Sequence, residues 1–296
     1  MPSWQGKSRG NKSGFRIFIW VLKHAGLAPA YFLLGFVAFY FFIFSGKAFR
    51  FQYIFFRRRL GFSPIRAVWS IYKNYYCFGQ TIIDKIMLLS GLKNPFRFDF
   101  EGEEYLREMV NTKKGGLLLS AHIGNWEMAG HLLQRLDTRF HIVMYDGEEQ
   151  ELKDYLDSIS EKHSARIILI KEDLSHIYAI QEALNKNEFV CMHADRYLEG
   201  NKTFQGVLLG EMASFPAGPF LLARTFKVPV SFVFAMKDSK YDYHFYATPP
   251  QIFNKDDSSK MMLGYYCHVM EGMIRKYPFQ WYNYYDFWNM GALPKV

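Results

Sequence analysis

The chain has 296 residues, of which 50% are hydrophobic and 19% aromatic, and its formal net charge is +8. This length accommodates a sizeable core in one large domain or two small ones. The aromatic content exceeds what a soluble core needs and favours a protein that works against lipid or a long acyl chain. The cysteines Cys77, Cys191 and Cys267 show no paired spacing. This argues against a disulfide framework or a zinc site and for buried thiols in a reducing compartment.

The N-terminal part of the chain is a basic segment followed by an uncharged one. Residues 1–24 are predicted to form a basic tail. Residues 25–46 carry no charged side chain, and about 20 apolar residues are enough to cross a bilayer. The apolar run is too long for a signal peptide, and no small-x-small cleavage site follows it. We predict a membrane helix over residues 25–46, and the alternative is a helical hairpin that lies in the interface without crossing it.

Positive charge flanks this membrane segment on both sides. Lys23 precedes it, whereas Lys47, Arg50 and the arginine run 57–59 follow it. Because the heavier basic load lies on the C-terminal side, we expect the remainder of the chain to be cytoplasmic. A basic surface also suits nucleic acid, but here the charge clusters beside the most apolar segment, which favours anionic lipid.

Residues 47–92 are predicted to be a helical, membrane-proximal region, and residues 93–296 an α/β domain. Ser63 is a candidate N-cap with Pro64 at the first helical position. The first predicted elements after it are a helix over residues 65–89, a strand over 96–100 and a helix over 103–111.

The most informative stretch is residues 115–130, GGLLLSAHIGNWEMAG. Its three consecutive leucines predict a short buried strand. His122 follows the strand, Gly124 lets the backbone turn, and Asn125 suits the N-cap of a helix with Glu127 in its first turn. Residues five apart do not face each other on one helix, so His122 and Glu127 meet only if His122 lies outside that helix.

A histidine and a carboxylate placed in this way favour a general-base pair. The imidazole of His122 would take a proton from an attacking hydroxyl or amine, while Glu127 would hold the tautomer and stabilise the imidazolium. The free N–H groups at the helix N-terminus would point at a developing oxyanion. The structural alternative is a hydrogen-bonded histidine at a strand end beside an ordinary first-turn acid.

Strands and helices alternate through the rest of the chain. The predicted strands cover residues 141–145, 166–170, 189–193, 228–236 and 241–247, the last as an edge strand. The predicted helices cover residues 148–162, 173–185, 216–226 and 258–276. This spacing indicates an α/β fold with a mixed, largely parallel sheet sandwiched by helices. Ligands of such sheets bind beyond the carboxyl ends of the strands, where both His122 and Asp195 are expected.

Asp195 and Arg196 directly follow a predicted strand. They either orient a substrate or form a loop salt bridge, and the sequence leaves both interpretations open. His193 and Asp195 lack further ligands at a recognisable spacing, so we expect no metal and no cofactor. Cys191 shares a strand face with His193 and is interpreted as a packed thiol.

The sequence also lacks several catalytic motifs. A Gly-x-Ser-x-Gly nucleophile elbow, a Walker loop and a Gly-x-Gly-x-x-Gly dinucleotide loop are all absent. A histidine–carboxylate pair without such a nucleophile fits direct attack of a substrate hydroxyl or amine on an activated acyl group. That reaction is acyl transfer without an acyl-enzyme.

The stretch Ser-Ala-His-Ile-Gly-Asn-Trp-Glu over residues 120–127 resembles the H-x(4)-D/E motif of the lysophospholipid acyltransferase superfamily. Its HxGNWE form is similar to that of the lipid A biosynthesis (lauroyl/myristoyl) acyltransferases. The likeness extends through residues 194–196, 209–219 and 228–230 and includes the N-terminal membrane segment. Two features depart from this family. Arg196 stands where many lipid A enzymes have Gln, and residues 215–219 lack the acid of the FPEG motif found in glycerophosphate acyltransferases. Both features resemble a related branch of acyltransferases for aryl-polyene or other specialised lipids.

The resemblance implies that His122 is the general base and Glu127 its orienting partner. It implies an acyl thioester donor, on acyl carrier protein or coenzyme A, and a lipid acceptor presented from the inner leaflet of the bacterial inner membrane. Asn125, Asp195 and Arg196 are assigned to substrate binding. The acceptor stays open among a lipid A precursor, an aryl polyene and an aminolipid.

The leading hypothesis is therefore a membrane-bound acyltransferase that acylates a lipid hydroxyl or amine. One alternative is a thioesterase or lipid hydrolase that uses the same pair to activate water. Another is a non-catalytic protein that binds acyl chains. Nucleic-acid binding is not expected, because no recognised motif appears.

Overall fold

The computed structural model describes residues 12–89, 92–128, 135–136, 138–145, 165–171, 173–253 and 258–288. The helices of this part of the chain are α1 (Lys12–Ala25), α2 (Leu27–Phe44), α3 (Gly46–Ile54), α4 (Pro64–Leu89), α5 (Glu103–Asn111), α6 (Ser175–Asn185), α7 (Ala217–Phe226) and α8 (Ser258–Lys276). A π-helical turn continues α3 over Phe55–Arg59. The strands are β1 (Arg97–Glu101), β2 (Gly116–Ser120), β3 (Phe140–Tyr145), β4 (Ala165–Ile170), β5 (Phe189–His193), β6 (Thr203–Leu208), β7 (Glu211–Pro216), β8 (Val230–Lys237) and β9 (Asp242–Ala247).

Seven of these strands form one sheet in the order β1-β9-β8-β2-β5-β3-β4. All neighbours in it are parallel except β8 and β9, which are antiparallel. The predicted α/β fold with a mixed, largely parallel sheet is therefore confirmed. The predicted helices and strands on described residues lie within about two residues of the observed ones.

The leucine run occupies the middle of the sheet. Leu117, Leu118 and Leu119 have no exposed surface, as expected for a parallel strand covered on both faces. Leu117 and Leu119 pack in a core that includes residues of α6, α7 and α8, whereas Leu118 faces a second core with residues of α2 and α5. The three-residue apolar run thus reflects burial on both sides of the sheet.

Two features differ from the sequence-based expectations. The strand predicted at the edge over 241–247 lies inside the sheet, because β1 pairs with β9 on its outer side. The antiparallel hairpin β6–β7 was not predicted. Its two-residue turn, Leu209–Gly210, has φ values of 52° and 81°, which is the geometry that short hairpins favour. The Leu-Gly pair was the available signal.

The N-terminal region forms helices that pack on the domain. Helix α1 begins at Lys12, within the stretch expected to be a basic tail. Helix α2 occupies the predicted membrane segment and is long and apolar enough to cross a bilayer by length and composition. One of its faces packs against α4, where the Tyr72 hydroxyl donates to the carbonyl of Gly35 at 3.4 Å. The large side chains that α2 leaves exposed are Phe32, Phe36, Phe39, Tyr40, Ile43 and Phe44.

Some expected elements fall outside the described residues. They include the helix predicted over 148–162 and the continuation, over 129–134, of the helix after the central motif. Within the described part, that motif ends in a short 3-10 turn over Trp126–Met128.

Candidate active site

The site lies at the carboxyl ends of the neighbouring strands β2 and β5. Ser120 and His193 are register partners at these ends, and the pairing continues one step further, as the Ala194 amide donates to the Ser120 carbonyl at 2.9 Å. His122 and Asp195 follow directly on the two chains. The position expected for a ligand site in a parallel sheet is therefore where the structure brings both residues together.

His122 is held by Asp195 at two points. The His122 amide donates to Asp195 Oδ2 at 3.0 Å, and Nδ1 of the His122 ring lies 2.8 Å from Oδ1. Because an ionised carboxylate only accepts hydrogen bonds, Nδ1 carries the proton and Nε2 is the nitrogen available to accept one. The Asp195 side chain is 1% exposed, whereas that of His122 retains 22%. Asp195 thus fixes the tautomer of His122 through Nδ1, while the imidazole stays accessible to solvent.

The electrostatics of the pair favour a neutral imidazole beside an ionised carboxylate. Burial and the charge of Arg196 lower the pKa of His122, and Asp195 only partly opposes them. Burial by itself raises the pKa of Asp195, but His122, its hydrogen bond and Arg196 outweigh burial and hold that pKa below its usual range. A histidine with a lowered pKa is unprotonated at neutral pH, which is the state that a general base needs.

The loop after His122 depends on Gly124. Its φ is +71°, and a Cβ there would lie 2.1 Å from the carbonyl oxygen of Ala235. The Gly124 amide donates to the carbonyl of Gln280 at 2.8 Å, and the Asn125 amide donates to Ala235 at 2.7 Å. Only glycine allows this turn and this close approach to β8. The turn expected at Gly124 is therefore present, and it brings the loop onto the sheet.

Asn125 and Glu127 are the other two site residues predicted within the central motif. Asn125 is 3% exposed, and its Nδ2 donates to the Tyr243 hydroxyl at 3.1 Å. This contact is internal to the protein, and substrate binding by Asn125 stays a prediction. The side chain of Glu127 lies outside the described residues, so its pairing with His122 also stays a prediction.

Arg196 connects the site to the C-terminal segment of the domain. Its Nη2 donates to the carbonyl of Tyr282 at 2.6 Å, and its guanidinium lies 5.8 Å from the ring centroid of Tyr285. The Tyr282 amide in turn donates to the His122 carbonyl at 3.2 Å. The C-terminal segment therefore packs against the loop that carries His122, a contact that the sequence did not indicate.

His193 is a further site residue that the sequence analysis did not assign. Its ring centroid lies 4.3 Å from that of His122 and 5.6 Å from that of Trp126. Burial and the neighbouring His122 lower the pKa of His193 to about 3, so its ring is neutral near pH 7. Its position as the last residue of a predicted strand, at the end where ligands of such sheets bind, was the signal that would have found it.

These histidines and Asp195 are also the described group best suited to hold a metal ion, since one donor atom of each lies within 4.8 Å of the others. His122 and Asp195 are, however, already bonded to each other at 2.8 Å. We therefore assign no metal to this group, and the expectation of a metal-free site stays a prediction.

Comparison with known protein families identifies the family of this chain. The model of the family described as bacterial lipid A biosynthesis acyltransferase matches residues 70–288, from within α4 to the end of the described chain. The chain belongs to this family. The protein is accordingly an acyltransferase of lipid biosynthesis, as the resemblance of its central motif implied.

Among solved structures, this lipid A-type acyltransferase is similar to the 1-acyl-sn-glycerophosphate acyltransferase PlsC from Thermotoga maritima, with 14% sequence identity and a TM-score of 0.37. The similarity covers 81% of this chain and 95% of the other. No curated protein sequence matches the chain.

Proposed function

We propose that the protein transfers a fatty acyl group from a thioester of acyl carrier protein or coenzyme A to a hydroxyl or amine of a membrane lipid. In this proposal His122 is the general base, and Asp195 orients it. The observation that carries the proposal is the two-point contact between these residues, with Nδ1 and Oδ1 2.8 Å apart and the imidazole still accessible.

The reaction follows from the protonation state of the pair. Nε2 of neutral His122 takes the proton of the acceptor O–H or N–H while the acceptor oxygen or nitrogen attacks the thioester carbonyl carbon. The negative charge of Asp195 stabilises the imidazolium that forms. When the tetrahedral intermediate collapses, the C–S bond breaks and His122 returns its proton to the leaving thiolate. No acyl-enzyme is needed, and Glu127 remains a second candidate partner for the imidazolium.

The membrane location of the acceptor is part of the proposal. Helix α2 supplies an exposed apolar face, and the exposed basic residues Lys47, Arg50, Arg57 and Arg58 follow it closely in the chain. Such a combination attracts a surface of anionic lipid. We place the protein at the bacterial inner membrane with its catalytic domain on the cytoplasmic side, where acyl carrier protein and coenzyme A thioesters are the donors.

The direct test is His122→Ala in the full-length protein reconstituted in vesicles containing anionic lipid. Acyl carrier protein and coenzyme A thioesters are supplied in parallel, each with a lipid A precursor, an aryl polyene or an aminolipid as acceptor. Loss of a general base is expected to lower the rate of acyl transfer about 100- to 10,000-fold. His268→Ala, the same change at an exposed position on α8, is the control and should keep the wild-type rate.

The same assay separates the alternative functions. Free fatty acid as the main product would identify a thioesterase or hydrolase, and acyl-chain binding without turnover would identify a binding protein. If His122→Ala retained more than a few per cent of the transfer rate, His122 would not be the general base.

A further inference from the structure

A second polar cluster contacts the loop that carries His122, through Asn125. We call it the Asp84 cluster, and its members are Asp84 of α4, Lys237 of β8, Tyr243 of β9 and Tyr31 of α2. The Lys237 ammonium donates to Asp84 Oδ2 at 2.6 Å, and the Tyr31 and Tyr243 hydroxyls also donate to the carboxylate. The side chains of Asp84 and Lys237 are 0% and 8% exposed, so the cluster is sealed from solvent.

The ion pair in this cluster is not an obvious source of stability. Burial raises the pKa of Asp84 and lowers that of Lys237, because removing each charge from water opposes its ionised form. An apolar pair of similar volume generally stabilises a core as well as a buried ion pair does. The arrangement of donors and acceptors around Asp84 suggests a different use.

That arrangement fixes the direction of a hydrogen-bond chain. The Asp84 carboxylate only accepts, so the single O–H of Tyr243 must point at it. The lone pairs of the Tyr243 oxygen are then left to accept, and Asn125 Nδ2 donates to them at 3.1 Å. Asn125 therefore presents its nitrogen and not its oxygen to the cluster. Nδ2 also makes a longer contact, 3.4 Å, to the carbonyl of Thr81 on α4.

Asn125 stands three residues after His122, on the loop that the active site depends on. Its own amide donates to Ala235, and Lys237 lies two residues further along the same strand. Gln280, which accepts from the Gly124 amide, is itself bonded to the backbone of Lys237 through both ends of its side-chain amide, at 3.0 and 2.7 Å. Strand β8 and Gln280 thus contact both the Asp84 cluster and the loop that carries His122.

We propose that Tyr243, Asp84 and Lys237 are positioning residues for acyl transfer, which hold Asn125 and through it the loop that presents His122. This inference rests on the proposed function. According to this inference, Tyr31 also donates a hydrogen bond to Asp84 but does not help to hold the loop. Misplacement of a catalytic group by about 1 Å can slow a reaction substantially, and it need not weaken substrate binding.

The two tyrosines form a matched pair for a test. Tyr243→Phe and Tyr31→Phe each remove one hydroxyl that donates to Asp84, but only the first also removes the acceptor of Asn125 Nδ2. We expect both to lower the Tm by similar amounts. Tyr243→Phe should lower kcat about 10-fold with KM within about twofold, and Tyr31→Phe should leave kcat within about twofold of wild type. Equal effects of the two variants on kcat, including no effect of either, would overturn the proposal.

A double variant separates positioning from stability. In Asp84→Leu/Lys237→Met an apolar pair replaces the ion pair and no buried charge is left unpaired, so we expect a higher Tm than in Asp84→Leu alone, although the Tyr31 and Tyr243 hydroxyls lose their acceptor. If the cluster positions the loop, kcat stays low in this variant. Recovery of kcat together with Tm would show that the cluster contributes only stability, and the proposal would fall.

Amide hydrogen exchange gives a measure that needs no activity. The amides of Gly124 and Asn125 should exchange faster in Tyr243→Phe and in the double variant than in wild type or Tyr31→Phe, within the peptide that covers residues 121–128. If the wild-type protein transferred no acyl group, the proposed function would fail. The exchange rates would still decide, independently of activity, whether the Asp84 cluster holds the loop. Unchanged exchange in Tyr243→Phe would refute the positioning role.

Discussion

Asp195 and Asp84 are both buried carboxylates, 1% and 0% exposed, yet the side chains around them differ. Asp195 bonds a histidine that stays 22% exposed at the open end of β2 and β5. Asp84 accepts hydrogen bonds from two buried tyrosines and from Lys237, whose side chain is 8% exposed. The pKa of the first is lowered and that of the second is raised.

Burial acts on both carboxylates in the same direction, since loss of water raises the pKa of any acid. At Asp195, the interaction with His122, including its hydrogen bond, and the charge of Arg196 outweigh this effect. At Asp84, Lys237 and the tyrosine hydroxyls do not. The contrast teaches that the groups around a buried carboxylate, and not its burial alone, decide whether its pKa is lowered or raised.

The largest expected effect tests the open region. Asp195→Asn removes the negative charge that stabilises the His122 imidazolium while nearly preserving the shape of the side chain. We expect kcat for acyl transfer to fall about 100-fold or more, with the protein still folded and bound to membranes. Asp99→Asn, at an exposed position on β1, is the matched control and should have no effect. A loss of less than about fivefold would remove Asp195 from the proposed mechanism and leave Glu127 as the partner.

The next effect concerns Gly124, which lies between the two regions. Gly124→Ala adds a Cβ 2.1 Å from the Ala235 carbonyl oxygen at a φ of +71°, so we expect a loss of about 3 kcal/mol of unfolding free energy. Gly210→Ala has a similar φ, +81°, but no atom within 4 Å of its new Cβ, and should cost only about 1 kcal/mol. Denaturant unfolding of both variants in the same detergent measures the difference. Equal losses would show that the close approach to β8 does not constrain the loop.

The smallest effect sharpens the electrostatic part of the comparison. Arg196 lowers the pKa of His122, so Arg196→Gln should raise that pKa and protonate the base at a higher pH. Activity relative to wild type should therefore fall several-fold more at about pH 6 than at about pH 8. Arg196→Lys keeps the positive charge and should preserve the acid limb of the pH–rate profile. A profile with the same acid limb in Arg196→Gln and wild type would contradict this account.

The sequence predicted the central elements because their signals are local. Three leucines in a row indicate a strand buried on both faces, and the residues that follow a strand in an α/β sheet lie at its ligand-binding end. His122 and Asp195 were both placed there. The turn at Gly124 was also readable, since glycine is the residue that tolerates a left-handed backbone.

The partner of His122 was not readable in the same way. The sequence predicted Glu127, five residues away, as a partner, and that pairing stays a prediction. The sequence did not indicate the hydrogen bond that the structure shows to Asp195, 73 residues away. Nothing in a local pattern states that β5 lies beside β2, because strand order depends on how helices cover the sheet. The internal position of β9 was missed for the same reason: alternation along a strand reports which side chains are buried, not which strands lie beside it.

By itself, then, the sequence determined the class of fold, the strand that His122 follows and the chemistry that such a residue offers, since each depends on residues close together in the chain. The tertiary structure alone showed that Asp195 contacts the imidazole of His122 and that Asp84 and Lys237 form a buried ion pair. Both depend on strand order and on burial, and these arise only when segments distant in the chain pack together.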